Sequence, residues 1–455
     1  MTTWLPRVAG LDGPVYRAIV DQLADAIRRG TLKAGDRLPT HRLMADLLGI
    51  NVSTVTRAYR EAERRRLIGG EVGRGTFVLG GAAEARLFAF ADRPQDSLID
   101  LSTNTPPKLV GDDGLAKAVA ALLEEGELER FADYPTPGDL HLHRLAAESW
   151  LVQHGVNCVA ERIVLCAGAQ HAMEAALAAA GATVVGCESL CWPGLKAIAR
   201  SRGLRLHALP IDRDGILPDA LERAALQGLK CLVCMPTLHN PTARTWSIER
   251  REAIVAVARR HDLMLIEEDV YGALMPISPT SLASLAPERV CHVSGLSKTV
   301  APGLRLGYLV LPPALHGRQE ALEHHTHWYV SPLGAEIARR WIVGGAAKGR
   351  LTRQRRELAA RWKLTQAALA DYELEGATVS PHLWLPLARG RDPQRVAEVA
   401  RREGVAVVPS ETFAAATHAE PAGLRVSLGA ASSRSRLQEA LSRLAPVLQR
   451  SALLR

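Results

Sequence analysis

Residues 294–308 read SGLSKTVAPGLRLGY, and residues 266–272 read IEEDVYG. The first run sets an amine, Lys298, just after a strand-like stretch and a guanidinium, Arg305, seven residues later, with LGYLVL behind it as a rigid mount. The second ends another apolar run on a carboxylate, Asp269, with a phenol, Tyr271, two residues on and so on the same face of an extended chain. Both runs place reactive side chains at strand ends. In open α/β sheets, ligands bind at the carboxyl ends of the strands.

Working outward, apolar strands alternate with amphipathic helices from about residue 98: RIVLCAG, HAMEAALAAA, TVVGCE, PGLKAIARSRG, LRLHALPI, LKCLVCMP, SIERREAIVAVARRHD, LMLIEEDV, RVCHVSG and LGYLVL. This alternation argues for an α/β domain with a mainly parallel sheet. Long helices follow residue 315, and a smaller α+β unit is expected over about 371–455, from YELEGATVSPHLWLPL through VAVVPS and GLRVSLG. Residues 80–97 lack a clear period and read as a linker between residues 1–79 and 98–455. A flexible linker of that size reaches about 20–25 Å.

The first eighty residues follow a different pattern. Residues 15–29, VYRAIVDQLADAIRR, put Ile19, Leu23, Ala26 and Ile27 at helical spacing. Residues 40–48 form a second helix with Leu43, Leu47 and Leu48 inward, Gly49 makes a turn, and a third helix runs from about Ser53 to Arg66. LIGGEVGRGTFVL then reads as two strands around a glycine-rich turn, which completes a winged helix-turn-helix order. Ser53, Thr54, Thr56 and Arg57 open the third helix, where base edges and phosphates are met, while Arg42 and the wing residue Arg74 suit backbone or minor-groove contacts. Residues 1–80 carry +5 of the chain's +8 formal charge, the balance that binding to a phosphate backbone needs and that solvated helices also carry.

The other chemistry-bearing residues converge on one ligand. An amine for an aldehyde, a carboxylate for a pyridine nitrogen and a guanidinium for a phosphate are the parts that hold pyridoxal 5'-phosphate. Asp269 is aimed at the ring nitrogen, with Glu268 as its competitor, since alternation lets only one of the two face the pocket. Tyr271 and Asn240, in LHNPT, suit the phenolate oxygen. Gly168, Ala169 and Gln170 offer backbone amides at a helix start. Trp192, in ESLCWPG, suits the ring face, or else a core position. Arg425, in GLRVSLG, suits an α-carboxylate, or else a buried ion pair.

Composition narrows the remaining classes. The seven cysteines are an odd number in mostly apolar settings, and Cys231 and Cys234 lack a second ligand pair, so buried thiols are expected and a metal site is not. The start MTTWLPRVAGLDGP lacks an apolar signal core, and no run approaches twenty apolar residues, so a cytoplasmic protein with no membrane association is expected.

Residues 35–59, GDRLPTHRLMADLLGINVSTVTRAY, and GRGTFV resemble the GntR-type winged helix domain. YPTPGDLHLHR, GAQHAMEAAL, HNPT, EEDVYG, SKTVAPGLRLGY and GLRVSL resemble a fold-type I aminotransferase over residues 98–455. The combination, over nearly the whole chain, resembles the MocR/GabR group of bacterial transcription regulators. That likeness implies a PLP-binding regulator that senses the cofactor or an amino compound and controls DNA binding at an operator upstream of a regulated gene. It further implies Lys298 on the cofactor aldehyde, Asp269 on its ring nitrogen, Asn240 and Tyr271 on its phenolate, and Ala169, Gln170, Ser297 and Arg305 on its phosphate. Tyr134 looks like the tyrosine lent to the phosphate by a partner subunit. Arg425 and Asn104 are assigned to substrate, and a head-to-tail, domain-swapped homodimer is implied. Gly295 stands where the pattern has Ser or Thr, which leaves that phosphate hydroxyl missing or supplied by Ser294. Trp192 stands in place of Tyr, and Ala243 in place of Gly. A catalytically active aminotransferase with an appended DNA-binding domain, and a scaffold with a silent cofactor site, are the alternatives.

Overall fold

The computed structural model describes residues 4–6, 14–28, 31–32, 35–65, 67–71, 75–79, 98–318, 321–322, 329–388, 390–416 and 420–450. The chain divides into two compact units, residues 1–89 and 90–455. Arg74 and the linker expected over 80–97 lie outside the described residues.

In the smaller unit, α1 (Val15–Arg28), α2 (His41–Leu48) and α3 (Val52–Arg64) precede an antiparallel hairpin of β1 (Ile68–Glu71) and β2 (Gly75–Val78). Polar caps set the helix starts: Thr40 Oγ1 accepts from the Leu43 amide at 3.3 Å and Asn51 Oδ1 from the Ser53 amide at 2.9 Å. Gly49, at φ 65°, ends α2 in the left-handed conformation that glycine adopts without strain. Ile19, Val20, Leu23 and Ala26 of α1 pack with Met44, Ala45, Val55 and Tyr59. One expectation is corrected here. Leu43 and Leu47 point outward, 40% and 53% exposed, and Met44 and Ala45 are the buried pair. The run HRLMADLL carries two apolar stripes about 100° apart, and periodicity cannot tell which one α1 and α3 will cover.

The larger unit is built on a seven-stranded sheet in the order β3 (Ile163–Cys166), β9 (Gly307–Val310), β8 (Val290–Gly295), β7 (Met264–Glu268), β6 (Cys231–Cys234), β4 (Val184–Glu188) and β5 (Arg205–Leu209). All neighbours are parallel except β9, which runs antiparallel to both β8 and β3. The LGYLVL run therefore turns straight back from the Lys298 loop beside β8, and that reversal holds the loop at the sheet's carboxyl edge. Helices α4 (Ala169–Ala180) and α5 (Pro193–Arg202) cover one face through Ala172, Met173, Ala176, Leu195 and Ile198.

A second sheet pairs β10 (His382–Pro386), β12 (Gly423–Ser427) and β11 (Val408–Pro409), all antiparallel. Its core also takes in Ile99 and Leu101, through a short parallel pairing of Ile99–Asp100 with Val405–Ala406. Residues some 270 positions before the expected start of this unit thus belong to its core, which local composition had no means of showing. Helix α6 (Ala346–Ala368) ties the two cores together, with Leu351 and Leu358 in one and Trp362 in the other. All seven cysteines are buried, and none is in a disulfide. Among the described residues no helix is long and apolar enough to cross a membrane.

Candidate functional site

Where β3 gives way to α4, Gly168 adopts φ 96° and caps the helix. A Cβ at Gly307 would stand 2.4 Å from the Gly168 carbonyl carbon, a backbone contact that requires glycine, and at Gly168 the positive φ requires it, while a Cβ there would also stand 2.7 Å from an Arg305 guanidinium nitrogen. Arg305, itself left-handed at φ 49°, donates to Ser297 Oγ at 3.4 Å and to the Ala167 carbonyl at 3.3 Å. The first-turn amides of α4 (Ala169 and Gln170), the Arg305 guanidinium and the Ser297 hydroxyl thus gather at one point. Such a grouping of donors is of the kind that suits an anion. Ser294 is not part of it: its hydroxyl donates to the Asp269 carbonyl at 2.9 Å, so it does not replace the hydroxyl that Gly295 lacks.

Lys298 follows β8, and its Nζ donates to the Asn104 carbonyl at 2.5 Å. Burial, then the Arg425 and Arg305 charges, push the amine down to about 8, against a weaker pull from Glu268. Asn104 extends this hydrogen-bonded wall. Its side-chain amide donates to Tyr271 Oη at 2.8 Å and faces His382 Nδ1 at 3.2 Å, while His382 Nε2 lies 3.0 Å from the His239 carbonyl. The two contacts assign the His382 proton to Nε2, and burial and then the nearby Arg425 push that ring down to about 3. Arg425, buried in β12, donates to Asn240 Oδ1 at 2.8 Å and to the Ser102 carbonyl, and stacks on Phe413 at 4.9 Å. Burial pushes it down to about 10, still fully charged at neutral pH.

Asp269 and Glu268 exchange places relative to expectation. Asp269 follows Glu267 on the far face of the sheet; its Oδ1 accepts from the Gly272 amide at 2.6 Å, and a Cβ on Gly272 would come within 2.2 Å of its Oδ2. Glu268 instead lines a narrow cavity of about 10 Å³ with Trp192, Asn240, His239 and Glu188. Glu188 closes β4, and its Oε1 accepts from the Met235 amide at 2.8 Å. Trp192 is half-buried and packs over Gly194, where any Cβ would overlap the indole. Tyr134 lies apart, 72% exposed, with its ring 6.4 Å from that of Tyr329.

The sequence reading missed His382, His239 and Glu188. For His382 and Glu188 a polar residue inside a buried apolar strand was the available signal, whereas His239 lies in the loop after β6. Only the pairing of β10 with β12 and the neighbourhood of Asn104 join His382 to the lysine.

In the smaller unit, Arg42, Ser53 and Arg57 are exposed on α2 and α3, and Thr54 is half-buried. The Arg57 guanidinium lies 4.2 Å over the Tyr16 ring, which holds it at the helix surface. Thr56 is half-buried, with Oγ1 3.3 Å from His41 Nδ1, so its hydroxyl is directed at α2 rather than outward.

Residues 96–444 match the model of aminotransferase class I and II, and residues 15–78 that of the bacterial regulatory proteins of the gntR family. The chain is 28% identical to the HTH-type transcriptional regulator YdeF of Bacillus subtilis, over 96% of this chain and 95% of that one. It is also 28% identical to the vitamin B6 salvage pathway transcriptional repressor PtsJ of Salmonella typhimurium, over 92% and 95%. Among solved structures, LysN, the α-aminoadipate aminotransferase of Thermus thermophilus crystallised with N-(5'-phosphopyridoxyl)-L-leucine, superposes with a TM-score of 0.71 at 22% identity, covering 83% of this chain and 96% of that one. The chain therefore belongs to aminotransferase class I and II, and its gntR-family N-terminal domain makes it a protein of the MocR/GabR type.

Proposed function

We propose that the protein is a DNA-binding transcription regulator whose larger unit binds pyridoxal 5'-phosphate. The observation that carries the reading is the Lys298 amine, held on the Asn104 carbonyl within reach of the Arg425 and Arg305 charges. It is supported by relatives named as transcription regulators, one of them for vitamin B6 salvage, and by a fold neighbour solved with a phosphopyridoxyl adduct.

In this reading the α4 amides, Ser297 and Arg305 hold the phosphate, Trp192 covers the ring, and Tyr271 and Asn240 face the phenolate oxygen. The bound cofactor would supply an aldehyde for amine exchange and an electron-withdrawing ring. Lys298 provides the amine, and its low basicity keeps a useful fraction neutral. Arg425 receives the carboxylate of an amino compound by giving up Asn240 and Ser102, and Asn104 stands between that carboxylate and Lys298. The exposed Tyr134 would serve a partner protomer in a domain-swapped homodimer, in the cytoplasm where the cofactor and DNA are both at hand. An effector that changes the larger unit's geometry changes DNA affinity, and by linkage DNA changes effector affinity equally.

Two measurements test this. The rate at which added pyridoxal phosphate acquires its visible band should climb with pH to about 8 and then level, because Lys298 loses its proton there. A rate still climbing as pH approaches about 10, the range of an ordinary lysine, would remove the pocket assignment. Binding to the DNA upstream of the protein's own gene should weaken steeply with salt. Arg57→Ala should weaken it by about tenfold at fixed salt, as expected when a phosphate or base contact is lost. Equal affinity in the variant would remove α3 as the reading element.

The second reading is an active aminotransferase. The intact Lys298, Arg425 and Tyr271 set favours it. Turnover of an amino acid with 2-oxoglutarate at ordinary enzymatic rates would decide for it.

A further inference from the structure

We infer that Glu268, one residue before the aspartate that the sequence pattern suggests, is the acid that meets the cofactor's ring nitrogen, and that Asp269 is a structural cap. The inference rests on the cofactor reading above and deepens it.

Strand alternation comes first. Ile266 packs against α4 on the face that also carries Trp192, and Glu268, two residues on, shares that face. Glu267 and Asp269 take the other face, where Glu267 meets His292 at 3.0 Å. The commitments of the two carboxylates differ as well. Asp269 is engaged with the Gly272 amide, in contact so close that a Cβ on residue 272 would displace its carboxylate. Glu268 Oε2 is fully buried and has no hydrogen-bond partner among the described residues. A buried carboxyl oxygen with no donor is costly, and it is an acceptor waiting for one.

The donor's place is set by the walls: Glu268 shares its cavity with the Trp192 indole and with Asn240. A flat heteroaromatic ring lying on the indole, its phenolate edge toward Asn240 and Tyr271, turns its nitrogen toward that cavity. Burial and then the neighbouring Glu188 push Glu268 up to about 8, so the proton required between acid and ring nitrogen is held by the protein beforehand. On docking, that proton lies between Glu268 Oε2 and the ring nitrogen. No other proton source is needed.

The test uses the full chain and two probes, pyridoxal 5'-phosphate and its 1-deaza analogue, which carries C–H in place of the ring nitrogen. Dissociation constants are read from the visible band. Wild type should hold the analogue about tenfold to a hundredfold more weakly, the size of a hydrogen bond to a charged group. Glu268→Ala should reduce that gap to within about threefold, Glu268→Asp should restore part of it, and Asp269→Asn should keep it whole. Because each gap is a ratio within one variant, a general loss of affinity or stability cancels. A gap that collapses in Asp269→Asn and survives in Glu268→Ala overturns the inference while leaving the cofactor reading intact. If the wild-type chain takes up neither probe, the cofactor reading itself fails, and this assignment with it.

Discussion

Lys298→Ala is expected to give a folded protein that binds pyridoxal phosphate without ever acquiring the band of a lysine-bound cofactor. The side chain makes one hydrogen bond, to the Asn104 carbonyl, and its charge is opposed by Arg425 and Arg305. Removing it costs about 1 kcal/mol for the bond and relieves like-charge repulsion, so unfolding should stay close to wild type. The cradle at α4, Arg305 and Trp192 remains, so the vitamer should still bind by its phosphate and ring, and dialysis should now remove it. Any transamination that the wild type shows should fall by about 10²- to 10⁴-fold, the range for losing a group that moves the substrate proton. A lysine-bound band that persists in Lys298→Ala would show that another amine reacts, and the pocket built here would no longer explain the chemistry.

Glu267→Ala should cause the largest loss of stability. Glu267 is 1% exposed, and its two oxygens accept from the Leu282 amide at 2.9 Å, the Ala283 amide at 3.1 Å and His292 at 3.0 Å, with Arg251 at 3.6 Å. Its removal leaves two amides and a buried arginine without their anion, which costs about 3–5 kcal/mol. Differential scanning of the unfolding transition should therefore show a drop of several degrees, and a change under about 1 kcal/mol would mean that the cluster contributes little.

The pH dependence has a definite sign. Burial opposes ionisation of Glu267, but pairing with His292 and Arg251 outweighs it and holds the carboxyl below its usual range; burial likewise opposes His292, but Glu267 holds the imidazole above its own. A depressed carboxylate adds stability above its unfolded value, near about 4.3, and loses it as pH falls through the folded one. A raised imidazole adds stability below about 6.5 and loses it as pH rises through its folded value. The pair's contribution is thus greatest between roughly pH 4.3 and 6.5, and the wild-type advantage over Glu267→Ala should peak in that window.

IEEDVYG shows how far local pattern reaches. The acidic pair Glu268 and Asp269 at a strand end marked a candidate site, because buried carboxylates without a purpose are costly. The pattern did not say which acid faces which way. That depends on where β7 enters the sheet relative to α4 and on the turn at Gly272, which draws Asp269 to its amide. Arg305 and Gly168 were both legible as candidates, yet their close approach follows from β9 running antiparallel beside β3. A seven-residue spacing alone does not determine such a reversal.

By itself the sequence determined the two-part order of the chain, the alternation of strands and helices, and the residue types suited to a cofactor amine, an anion and a nucleic acid, because those depend on periodicity and on side-chain chemistry within a few neighbours. Only the tertiary structure decided that Leu43 and Leu47 lie outside while Met44 lies inside, that Ile99 and Leu101 complete a core built from residues beyond 360, and that Asn104, Tyr271, His382 and Lys298 share one hydrogen-bonded wall. Each of these is a choice between faces or between distant partners. Such choices are settled by which surfaces exclude water together, and that is a property of the packed chain rather than of any segment in it.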